Sequence, residues 1–365
     1  MIRRIIKATS VLVGTVIGVG IFGLPYVASR SGLWLTWAYI LGLGAIVILV
    51  HYFYIEIVSN SKSRERLVSY VGDYLGDRAK MVASVTVVLS RLGALLVYII
   101  VSGSFLSALF GGSEFYWSLG FFVVGGLVIF WGLKTISLVE VLMSLFLLLV
   151  MVVIFVMGFP KIDFSNFSIL ASGSFFLPYG VVLFSLGGAS AIPEMEEIIG
   201  EDKRALHLSN FWGMFIPIIL MILFSGFVVG VSGSSTTGEA LIGLKSFLGG
   251  VPMTLGLLFG IVALFTSFIT LGLNVRGVFQ YDFKLSRLLS CALVLFIPLV
   301  VFLLGFSNFI GTMGFLGAVF GALNAIFIVL IYKKLRPDVR VLPYVVIAVF
   351  ALGAIYEIVN KIGLL

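Results

Sequence analysis

Apolar residues run in long blocks along this chain, and polar residues gather in the short gaps between them. Blocks of about 20 residues suit a helix crossing a bilayer, and they are too long for barrel strands of about 9–11 alternating residues. Eleven spans are predicted, at 7–30, 32–58, 81–110, 115–133, 136–158, 174–199, 205–231, 251–277, 286–305, 308–332 and 342–360. Two gaps carry a pattern of their own. Residues 59–80 hold "RERLVSYVGDYLGD", with Leu67, Val68, Val71 and Leu75 at near-helical spacing. Residues 232–250 hold "TTGEALIGLKSFLGG", with Leu241, Leu244, Phe247 and Leu248. Both read as short amphipathic helices lying at the membrane interface.

Two spans break the pattern. The first contains "VGTVIGVGIFGLP", with Gly14, Gly18, Gly20, Gly23 and Pro25 where a continuous helix wants Ala or Leu. The sixth reads "FFLPYGVVLFSLGGASAIPEMEE", with Pro178, Gly187, Gly188 and Pro193. The broken spans lie five spans apart, and the two patterned gaps keep the same offset on opposite sides of the membrane. This arrangement points to an inverted-repeat secondary transporter with a midplane site.

Composition narrows the class. The chain is 61% hydrophobic and 11% charged, which leaves too little polar surface for a soluble protein of 365 residues. The N-terminal "MIRRIIKATSVLVG" looks like a signal peptide, but its apolar region runs to about Ala28, beyond the roughly 7–15 residues of a cleavable signal. It reads as a retained span. Cys291 is the one cysteine, so no intramolecular disulfide forms. Of the 23 Lys and Arg, eighteen fall on one side if the N-terminus is cytoplasmic, four (Arg30, Lys161, Lys245, Lys361) fall on the other, and Arg91 lies inside the third span. That asymmetry predicts a multi-pass protein of the cell membrane with its N-terminus inside and its C-terminus outside. It also explains the net charge of +7 without nucleic acid.

No enzyme is expected. The two histidines, His51 and His207, read as residues near the cytoplasmic ends of their helices. No His/Asp/Glu cluster has metal-ligand spacing, and no nucleophile sits beside a base. The broken spans offer different chemistry. Interrupting a helix frees amides at the start of its second half and carbonyls at the end of its first, and in lipid these must meet a cavity or a ligand. The amides near Val19, Gly20 and Ile21 suit a carboxylate, with Gly18 and Gly20 letting the backbone come close. Carbonyls near Gly14 and Ile17, and near Phe184 and Ser185 beside Gly187, suit a cation or an ammonium group. Phe22, Tyr98 and Phe184 are candidate pocket walls. No ionisable side chain lies between Lys7 and Arg30, nor between Asp163 and Glu194. A site built there favours a net-neutral zwitterion, because an uncompensated buried charge is too expensive.

At these residues the chain resembles the amino acid–polyamine–organocation superfamily, which has the fold of the bacterial sodium-coupled leucine transporter. "IGVGIF" (17–22) is similar to its first-helix glycine signature, and "GLPYVA" resembles the amino acid/auxin and hydroxy/aromatic amino acid permease branch. "FSLGGASAIPEM" (184–195), "TSFITLGLNVRGVFQYDF" (266–283) and "LFIPLVVFLLGF" (295–306) are similar to the sixth, eighth and ninth helices. The resemblance implies an all-α polytopic membrane protein with ten core helices in two inverted five-helix repeats (7–158 and 174–332), helices one and six broken, and one additional C-terminal helix (342–360). It also implies a sodium ion held by the carbonyls of Gly14, Ile17 and Ala263 and the hydroxyls of Thr266 and Ser267. No other cofactor is expected.

The reading is sodium-coupled symport of a neutral amino acid, with the bilayer as surroundings and no soluble protein partner. Proton coupling is the alternative. The lysine that some proton-coupled relatives carry in span 5 is absent here, while Glu56, Arg91 and Glu140 remain candidates. Asp282 with Arg3 or Arg4 is a candidate inner closure. A non-transporting amino acid sensor on the same scaffold is the remaining alternative.

Overall fold

A computed structural model describes residues 1–61, 66–132, 149–168 and 175–362, with the backbone alone at 251, 252, 281 and 282. The described residues form an all-helical bundle. The first predicted span is two helices, α1 (Ile2–Val16) and α2 (Leu24–Ser31), with axes bent by 50° at the break. Then come α3 (Leu33–Asn60), the short α4 (Leu67–Leu75), α5 (Asp77–Phe110), α6 (Glu114–Trp131) and α7 (Leu149–Lys161). The sixth predicted span is again two helices, α8 (Leu177–Ser185) and α9 (Ile192–Ile199). The remainder is α10 (Lys203–Ser232), the short α11 (Ala240–Leu248), α12 (Gly250–Gly277), α13 (Arg287–Leu303), α14 (Phe309–Phe315), α15 (Ala322–Leu335) and α16 (Leu342–Lys361).

Some helices run past their hydropathy blocks. α1 starts at Ile2 and α5 at Asp77, ahead of their apolar runs. Hydropathy marks where lipid begins, while hydrogen bonding carries the helix on into the polar region. The two interfacial helices form as predicted, each with an apolar side buried: Val68, Tyr70 and Val71 on α4, and Leu241, Leu244 and Leu248 on α11. The tenth predicted span is α14 and α15 joined by a π-helical stretch, Leu316–Gly321.

Proline shapes the half-helices. Pro25, Pro178 and Pro193 each stand in the first turn of α2, α8 and α9, where a missing N–H costs little. Glycine then lets the helices approach. A Cβ on Gly317 of the π stretch would fall 2.5 Å from the Phe184 amide nitrogen. The crossing of α8 on this stretch therefore holds only if Gly317 carries no side chain. The first half-helix, α1, packs mainly on α10 and α9, whereas α12 packs most on α5 and then on α11, α6 and α13. Glu140 lies outside the described residues, as does the Asp282 side chain.

Candidate functional site

Chain geometry at the first break follows from its glycines. Gly18 is extended (φ −130°, ψ −156°), and residues Val19–Phe22 make one 3₁₀ turn before α2. Ile17 N–H still reaches back to Val13 O (2.8 Å), but Gly18 N–H takes Val16 O (3.0 Å), so the Gly14 carbonyl loses its helical donor. Ile21 N–H takes Gly18 O (3.4 Å), which leaves the Ile17 carbonyl without one. No acceptor among the described residues takes the amides of Val19 and Gly20. The amides left without a backbone acceptor are thus those of Val19 and Gly20, while the third predicted amide, Ile21, is already engaged.

The second break mirrors this. Leu186 N–H closes on Val182 O (2.9 Å) and Gly187 N–H on Phe184 O (3.2 Å). The Phe184 carbonyl is therefore used, while that of Ser185 has no backbone donor among the described residues. Ser185 spends its hydroxyl on its own helix, donating to Val181 O at 2.7 Å.

The two breaks meet. A Cβ on Gly20 would lie 2.7 Å from Ser185 Oγ and 2.8 Å from Ser185 Cα. One on Gly18 would lie 3.4 Å from Tyr98 Oη, so Tyr98 stands at the first break. Phe22 is buried in an edge-on cluster with Phe105 (5.3 Å) and Phe224 (6.3 Å). Phe184 is half-buried, and Gly187 and Ser190 are exposed.

The openness is one-sided. Beyond the breaks Gly23 abuts Ile310 and Met313, its notional Cβ 3.1 Å from Ile310 Cδ1. On the side of the N-terminus, Ser190 and Glu194 are exposed, and Glu194 feels the charges of Glu197 and Lys7. The exposed residues beside the junction therefore lie toward that end, and Gly23 is packed at the other.

Gly14 and Ile17 stand at the end of the first half-helix, and Ala263, Thr266 and Ser267 on α12. Thr266 Oγ1 donates to Ala263 O at 3.0 Å, which leaves lone pairs on both oxygens for a cation. The described residues contain no cluster of three or more His, Cys, Asp or Glu fit for a metal.

His51 was expected near a helix end at the headgroups and is instead buried, 1% exposed, because α3 continues more than two turns beyond it. Its Nδ1 lies 3.1 Å from Asn210 Oδ1. Asn210 Nδ2 donates to Ile48 O (3.4 Å), which turns Oδ1 toward the imidazole and makes Nδ1 the donor. The ring edge faces the second break, its Cε1 3.1 Å from a notional Cβ on Gly188. Asn210 went unnoticed in the sequence, and its place inside a hydrophobic span, about two turns from the start of α10, was the available signal. Glu56 takes Lys203 Nζ (3.3 Å) and His207 Nε2 (3.4 Å) at the end of α3, away from the breaks.

The tryptophan/tyrosine permease family model matches residues 1–356. The chain belongs to that family. This permease is also 24% identical over 373 aligned positions to the tyrosine-specific transport system 1 of Haemophilus influenzae, covering 94% of this chain and 91% of that protein. Among solved structures it is similar to MhsT in complex with L-phenylalanine, at a TM-score of 0.68 and 14% identity over 95% of this chain and 98% of that one. The inward-facing conformation of Mhp1 aligns at 0.63 and 14% identity, covering 92% of this chain and 77% of that one. The permease therefore has the leucine-transporter fold that the glycine signature implied, and its family is one of membrane permeases rather than enzymes.

Proposed function

We propose that this permease is a secondary active transporter of aromatic amino acids in the cell membrane, coupled to sodium and working by alternating access. The observation that carries the reading is the meeting of the two breaks at Gly20 and Ser185. It brings the unpaired amides of Val19 and Gly20 beside the unpaired carbonyl of Ser185, with Tyr98 and Phe184 alongside. A zwitterion satisfies both sets at once, its carboxylate on the amides and its ammonium on the carbonyl. The family, the tyrosine-transporting relative and the L-phenylalanine held by MhsT support narrowing the neutral amino acid to an aromatic one. They also fit the hydroxy/aromatic permease branch.

In this reading the repeats are 7–158 and 174–332, with 342–360 added. The N-terminus is cytoplasmic and the C-terminus outside, so the junction opens inward. Sodium would be held by Gly14, Ile17, Ala263, Thr266 and Ser267, and its occupancy biases the outward-open state. Proton coupling remains the alternative reading.

Uptake into proteoliposomes under imposed sodium or proton gradients separates the two, repeated with Thr266→Ala. Sodium-driven uptake that weakens in the variant supports the ion site. Proton-driven uptake unchanged by the variant removes it. Amino acid binding with no accumulation under any gradient supports the sensor alternative.

A further inference from the structure

Two carboxylates share one serine at the end of the bundle opposite the N-terminus. Ser104 of α5 is 3% exposed, and its Oγ lies 3.0 Å from Glu114 Oε2 at the start of α6 and 3.5 Å from Glu239 Oε1 at the start of α11. A hydroxyl has one proton and donates to one acceptor. Glu114 is exposed and takes the hydroxyl proton while water solvates its charge; the more buried Glu239, whose own amide also reaches its carboxyl, gains from the serine oxygen only by donating a proton to a serine lone pair. Ionised, the two acids would face each other across a group that can neutralise neither.

The positions are fixed from both sides. At Gly103 a Cβ would lie 2.6 Å from Glu114 O, so α6 crosses α5 at its closest beside Ser104. Among the described residues no cation compensates the pair. Lys245 of α11 donates to Ala108 O (2.7 Å), Lys161 at the end of α7 donates to Phe247 O, and Arg30 of α2 lies over the Tyr26 ring. Asp163 accepts from the Ser165 amide. The segments of α5, α10 and α12 that flank the pair contribute no charge.

What the pair holds is a cover. α11 buries Ala240, Leu241 and Leu244. Leu241 and Phe105 both line Gly260, and Phe105 packs on Phe22 at the first break. Just ahead of α11, Gly238 rests on Ile310, which also abuts Gly23.

We propose that Glu114, Ser104 and Glu239 form a pH-operated latch: a proton held on Glu239 fastens α11 over the closed end of the helix breaks, and its loss lets α11 lift. Burial, and then the Glu114 charge, hold the Glu239 carboxyl above the usual glutamate range when docked. A lifted Glu239 returns to that range. Docking is therefore strongest below the usual range, weakens as the pH climbs to the raised value, and is constant beyond it. The latch needs neither the substrate nor the ion of the transport reading, so its failure and the failure of that reading are read separately.

The test is a pair of spin labels in the full chain in nanodiscs, at Ser246→Cys on α11 and Tyr116→Cys on α6, in a Cys291→Ser background. Between about pH 5 and about pH 9 the ratio of docked to lifted distances is expected to fall by about fivefold or more. Glu239→Gln, a permanent donor, is expected to stay docked throughout, and Glu114→Gln to show a smaller response than the parent. A parent distribution that does not move with pH overturns the latch. So does a Glu239→Gln or Glu114→Gln protein that responds as fully as the parent.

Discussion

Gly20 lies against the backbone of Ser185, close enough that a single added carbon would stand 2.8 Å from the serine Cα. Neither partner has slack. Ser185 is held in α8 by its hydroxyl bond to Val181, and Gly20 sits in a 3₁₀ turn tied at both ends. The contact joins the two interrupted helices at the point where their unpaired backbone groups face each other.

Gly20→Ala is therefore expected to part the breaks and lower uptake by about tenfold or more, the cost of misplacing binding groups by a fraction of an ångström. Gly42→Ala is the control, because nothing lies within 4 Å of its notional Cβ. Parallel uptake and melting curves check this. Equal activity of the two variants would contradict the contact.

Gly317→Ala is expected to act on closure rather than binding. Its Cβ meets the Phe184 amide across the α8 crossing, and backbone cannot rotate away. Equilibrium binding of amino acid is expected to persist while concentrative uptake falls. A variant that transports normally would contradict the closeness of this crossing.

The His51–Asn210 pair is expected to behave as a unit. His51→Leu strands Asn210 Oδ1 in a dry site and should destabilise the protein by about 1–3 kcal/mol. Adding Asn210→Leu removes the stranded group and should recover part of the loss. Thermal melting of the two single variants and the double variant measures the coupling. Strict additivity would mean the pair is not a hydrogen bond.

The breaks were legible in the sequence because their cause is local. Gly18, Gly20, Gly187 and Gly188 interrupt helix propensity, and Pro25, Pro178 and Pro193 restart it. The interfacial helices were legible for the same reason, since Leu241, Leu244 and Leu248 fall on one helical face. What escaped is set by packing between distant segments. Hydropathy places His51 near a span end, and only the full length of α3 and its contact with α10 reveal it as buried at Gly188. Ser104 and Glu239 meet although they are 135 positions apart, and no periodicity reports that. Likewise the spacing of Ala263, Thr266 and Ser267 says nothing of how far α12 stands from α1.

Uptake of a panel of amino acids into proteoliposomes tests the transport claim most directly, with the Gly20→Ala protein alongside. Gradient-driven accumulation of tyrosine, tryptophan or phenylalanine is expected, with leucine and serine taken up poorly and the variant reduced by about tenfold. Binding without accumulation under every gradient, or accumulation of leucine and serine in preference to the aromatic amino acids, would contradict it.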